Sequence, residues 1–101
     1  MDTNDLSRET YRAIIIEAEK INHNLSLQFG VLSSTCKDEQ EFIDKSAQSI
    51  NELKIADSEY WEDIFFGNVP NLNRLNKILD IILDNIAKVK QTPLAKRHFD
   101  F

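Results

Sequence analysis

The sequence predicts an all-α fold, a compact bundle of three long helices and one short helix whose antiparallel neighbours are joined by brief connections. Three observations carry this. Apolar residues recur at alternating steps of three and four along the 101 residues, and no stretch alternates with period two. Only 2 Gly and 2 Pro occur, too few for a turn-rich β protein. Capping and stopping residues fall between the periodic stretches, where helix ends need them.

The first helix is expected over residues 5–33. Leu6 or Ser7, Tyr11, Ile14, Ala18, Ile21, Leu25, Gln28 or Phe29, and Leu32 lay one apolar stripe along it. Asp5 can cap its start, and Glu9 lies in the early turns, where the helix dipole favours acids. Gly30 weakens it locally by roughly 1 kcal/mol relative to alanine. Ser33, Ser34, Thr35 and Cys36 are poor helix formers and should end it.

The second helix, over residues 38–54, opens with Asp38 and an acid three positions on, Glu41. Its apolar face is Phe42, Ile43, Ala47, Ile50 and Leu53, opposed by Asp44, Gln48, Asn51 and Glu52. A short third helix over 58–66 is capped by Asp57 or Ser58, with Gly67 supplying the left-handed residue after it. The fourth, over 70–91, takes Pro70 into its first turn. Leu72, Leu75, Ile78, Leu79, Ile82, Leu83, Ile86 and Val89 form its broad apolar arc. Thr92 and Pro93 stop it, leaving residues 92–101 as a tail. No linker or repeat divides the chain, so residues 1–101 read as one domain.

Charge is unevenly spread. The net value is −5, and residues 38–63 alone carry nine acids against Lys45 and Lys54. Residues 88–97 carry Lys88, Lys90, Lys96 and Arg97 and no acid. A negative molecule repels phosphates, and Asp80 and Asp84 interrupt the polar face of the fourth helix, so nucleic acid is not an expected partner. The longest apolar run, Ala13 to Ile16, is far short of a membrane span, and no membrane partner is expected. The start, Met1 to Asp5, lacks the basic and apolar regions of a secretory signal, and Cys36 is alone. A reducing, cytoplasmic location follows as the expectation.

Catalytic chemistry finds little support. His23, His98 and Cys36 are the only strong nitrogen and sulfur ligands, fewer than a structural zinc site needs, and no metal or cofactor is expected. Gly30 and Gly67 stand too far apart for a phosphate-binding loop. Cys36 has no defined base or oxyanion donor beside it in sequence and reads as a surface turn thiol. The chain is therefore expected not to be an enzyme.

The informative residues are the apolar ones that one core does not consume. Ala13, Ile16, Leu27 and Val31 form a second stripe on the first helix, opposite the main one. Tyr60, Trp61, Phe65 and Phe66 cannot all share one side of two turns, so Tyr60, Trp61 and Phe66 are candidate contacts. Phe99 and Phe101 close the chain, to dock on the domain, on a neighbour or on a reader of the peptide. These nine residues define the candidate interface. The expected function is protein–protein contact by a homo-oligomer, a dimer first of all, or with another protein. The alternative is an acidic inhibitor-like module, of the antitoxin or immunity kind, binding a basic partner through residues 38–63.

Overall fold

The computed structural model describes residues 1–99 and holds five helices. Helix α1 covers residues 8–21 and contains a π-helical stretch, Tyr11–Ile16. Helix α2 is His23–Thr35, α3 Glu39–Lys54, α4 Ser58–Phe65 and α5 Leu72–Gln91. Short 3₁₀ turns, Thr3–Asp5 and Leu94–Lys96, stand at the two ends. Among the described residues there is no strand, only an isolated antiparallel bridge between Ser7 and Phe99. The all-α expectation holds.

The expected single helix over 5–33 is instead a hairpin. Asn22 is extended (φ −166°, ψ 141°), and its side chain accepts the Asn24 amide at 2.7 Å. An asparagine that caps a new helix competes with continuation of the old one, and here the cap prevails. The chain then folds back, so that α2 packs on the Tyr11–Ile16 stretch and on Thr3–Asp5. The Met1 amine donates to the Cys36 carbonyl at 2.9 Å, closing the open end of the hairpin.

Other boundaries move for local reasons. Ser7 caps α1 by accepting the Thr10 amide, while Asp5 accepts the Asp2 amide within the preceding turn. Asn71 caps α5, leaving Pro70 outside the helix. Helix α2 runs on to Thr35 because the hydroxyls of Ser33, Ser34 and Thr35 fold back onto the carbonyls of Gly30, Val31 and Leu32. Cys36 follows this end but is no surface thiol. It is 2% exposed and donates to the Leu32 carbonyl at 3.3 Å.

Helix α1 packs on α2 and α5, and α3 packs on the same two. Ion pairs fix the direction of α3 against α5: Asp44 meets Lys90 at 3.1 Å, and Lys54 meets Asp80. Positions rise along one helix as they fall along the other, so the pair is antiparallel. The common core is Ile14, Ala18, Leu25, Phe29, Phe42, Ile43, Ile50, Leu79, Ile82 and Ile86, all buried. Helix α4 lies on α2 through Trp61 and Ile64, and Asn24 donates to the Ile64 carbonyl at 3.2 Å.

The tail docks back on the domain as far as it is described. Arg97 is buried against Glu39, Nη1 to Oε2 at 2.6 Å. Its Nη2 and Nε donate to the Val89 and Thr92 carbonyls at 2.9 and 3.1 Å, tying the tail to the end of α5. The other oxygen of Glu39 accepts the Ser7 amide at 2.6 Å. One step on, His98 binds Glu9 through its ring at 2.6 Å and its amide at 3.0 Å.

Candidate functional site

The fold redistributes the nine candidate contact residues. Ala13 and Trp61 are buried in the core and present no surface. Phe99 is half-buried in its bridge to Ser7, and Phe101 lies outside the described residues. The second stripe of the first helix is divided, because the turn at Asn22 puts Ile16 on α1 and Leu27 and Val31 on α2. Ile16, Leu27, Val31, Tyr60 and Phe66 remain exposed.

Two of these belong to a recognisable surface. Leu27 (54% exposed) and Val31 (65% exposed) stand one turn apart on the outer face of α2. Gly30 and Ser34 complete the same face at i+3 and i+7, and a Cβ built on Gly30 meets nothing within 4 Å. The Ser34 hydroxyl is already bonded to the Val31 carbonyl at 2.6 Å and asks nothing of a neighbour. The stripe is therefore apolar or small throughout and carries no charge. Met1, Asp2 and Thr3 border the shallow basin in front of it.

The other surface is a groove between α2, α3 and the start of α4, which sequence reasoning missed. Its volume is about 290 Å³. Leu25, Phe29, Leu32, Leu53 and Ala56 supply an apolar floor, and Gln28, Ser49, Glu52 and Tyr60 supply the polar wall. Asp57 accepts the Tyr60 amide at 3.1 Å and so starts α4 where the phenol overhangs the groove. The Trp61 indole meets the Tyr60 ring edge to face, centroids 5.9 Å apart, and steadies it from inside. Burial, with a smaller contribution from the Glu52 charge, pushes the Tyr60 phenol above its usual range. No single helix signals this groove, because its lining joins residues 25–32 to residues 49–60.

No family model matches the chain, nor does any curated protein or solved structure. The residues themselves must carry the functional reading.

Among the described residues, no three of His, Cys, Asp and Glu gather into a metal-sized cluster. His23 pairs with Glu19 at 2.9 Å on an exposed helix surface. No helix of the described residues is long and apolar enough to cross a membrane. The groove wall holds neither histidine nor cysteine.

The acidic stretch is neutralised at one end only. Glu39, Glu41 and Asp44, near the start of α3, pair with Arg97, Lys45 and Lys90. Two of those cations come from the basic stretch 88–97, so the two charge runs of the sequence meet in the fold, Arg97 with Glu39 in the interior and Lys90 with Asp44 at the surface. Glu52, Glu59, Glu62 and Asp63, at the groove end and along α4, make no ion pair among the described residues.

Proposed function

We propose that this protein is a non-catalytic helical module that works through protein–protein contact and pairs with a second copy of itself. The observation that carries this reading is the uncharged face of α2, with Leu27 and Val31 exposed beside Gly30 and Ser34. Large apolar side chains left in water forgo about 1.5–3 kcal/mol each relative to full burial. Gly30 lets a partner helix come close, as small residues do at helix crossings. A two-fold contact buries the patch twice, and two-fold dimers are the commonest assembly. The molecule's net charge of −5 does not oppose such a seam strongly, because no charged side chain of α2 stands in it.

A reducing, cytoplasmic setting fits the single cysteine. The test is mass by light scattering for wild type and for Leu27→Glu with Val31→Glu. The expected result is a wild-type dimer and a helical monomeric variant, since neither residue belongs to the core. A wild type that stays monomeric at high concentration ends the reading.

A further inference from the structure

We infer that the groove between α2, α3 and α4 is a docking site for a basic, amphipathic segment of another protein, which places one arginine or lysine between Glu52 and Tyr60. Three features meet there. The floor of Phe29, Leu32 and Leu53 suits the aliphatic stem of a long cationic side chain. The Glu52 carboxylate is exposed, lies in the groove wall and has no cation within ion-pair distance among the described residues. The Tyr60 ring, on the same wall, offers a face to a guanidinium or ammonium group.

Charge complementarity selects this occupant. Lys54, two residues beyond Glu52, is held by Asp80 of α5. Glu59, Glu62 and Asp63 extend the uncompensated acid along α4, so the potential at this end of the bundle favours a cation's approach. The volume of about 290 Å³ lies at the lower edge of ligand pockets, which run from about 300 to 1,000 Å³. It suits one or two side chains of a partner better than a cofactor. Helix α2 turns Leu25, Gln28, Phe29 and Leu32 to the groove and Leu27 and Val31 away from it, so a self-associated protein keeps the groove open.

Two labelled helical peptides with the same apolar face, one bearing arginines and the other glutamates, test this by fluorescence anisotropy. The arginine peptide is expected to bind wild type and the glutamate peptide is not. Glu52→Gln should weaken the arginine peptide about tenfold, the loss of one charge-assisted contact. Ser49→Trp, which fills the groove, should abolish binding. Glu52→Lys, at an exposed position that leaves the core intact, should weaken the arginine peptide further than Glu52→Gln does. Equal binding of both peptides overturns the proposal. So does arginine-peptide binding that falls with salt yet is unchanged in both Glu52 variants, because attraction is then diffuse and the groove is not used. The mass measurement reads self-association separately, and its outcome does not alter these arms.

Discussion

Arg97 is the side chain on which the two ends of the chain and the start of α3 converge. Both charges of its pair with Glu39 are buried, and the Val89 carbonyl of α5, the carbonyl of its capping residue Thr92 and the Ser7 amide complete the network. Full satisfaction makes such a pair tolerable in the interior, and removal of one member leaves an uncompensated charge. Glu39→Ala is therefore expected to lower stability by about 3–5 kcal/mol. Urea unfolding checks this, and Glu39→Ala combined with Arg97→Met should recover part of the loss. A single-variant cost below about 1 kcal/mol would mean that the pair stays hydrated. Glu9 gives a second residue-scale expectation. The hydrogen bond from the His98 ring holds its carboxyl down at about 2, below the usual 4.5. A depressed carboxylate contributes stability above its unfolded value and loses it as pH falls through the folded value. The contact should thus persist at pH 5 and let go between about 4.5 and 2, followed by exchange of the Arg8 amide, which donates to the His98 carbonyl. Glu9→Gln should remove that acid transition.

At the scale of elements, the end of α4 departs from expectation in an instructive way. Gly67 was the natural left-handed residue, and it does take φ +89°, but Phe66 before it is also left-handed at φ 52°. Both amides reach back to the Glu62 carbonyl, that of Gly67 at 2.9 Å. A bulky residue in this region costs roughly 1–2 kcal/mol, and Phe66 is 81% exposed, so burial offsets little of it. Phe66→Asn is expected to raise stability by about 1 kcal/mol, because asparagine tolerates the conformation. Gly67→Ala should lower it by a similar amount. Thermal unfolding of both variants measures the two signs. If Phe66→Asn destabilises instead, the ring is packed and the turn is held by contact rather than by backbone preference.

For the whole molecule, the question is whether stability and association can be separated. Gly30 lies inside α2 with open space before it, so Gly30→Ala should stabilise the folded chain by up to about 1 kcal/mol through helix propensity. If a second copy packs on α2, the added methyl holds the two backbones apart and the dimer weakens. Opposite changes in melting temperature and in dimer dissociation constant are the expected outcome. A tighter or unchanged dimer would place the contact elsewhere. The elongated form of the molecule, with extents of 41, 22 and 18 Å, leaves the long flank of the bundle available for such pairing.

The sequence by itself determined the helical class, the apolar faces of α3 and α5, the start of α3 and the stops of both helices, because periodicity and caps are local properties, whereas α5 starts after Asn71 and not at Pro70. Phe42, Ile43, Ile50 and Leu53 are inside as their spacing requires, as are Leu75, Leu79, Ile82, Ile86 and Val89. It read as one helix straight through Asn22, since the apolar spacing continues on both sides of that residue and a lone asparagine inside a periodic stretch does not by itself mark a cap. Tertiary packing decided that contest, because only the hairpin lets α1 and α2 bury their apolar sides against each other and the rest of the core. The same turn broke the second stripe, sent Ala13 inward and left Leu27 and Val31 outside. The groove belongs wholly to the tertiary level, made by residues 25–32 and 49–60 meeting across two helices. So does the fate of the charges: the basic stretch near the C-terminal end neutralises the start of α3 and leaves the groove end acidic. Composition counts charges, but only the fold sets their distances, and Coulombic energy depends on distance.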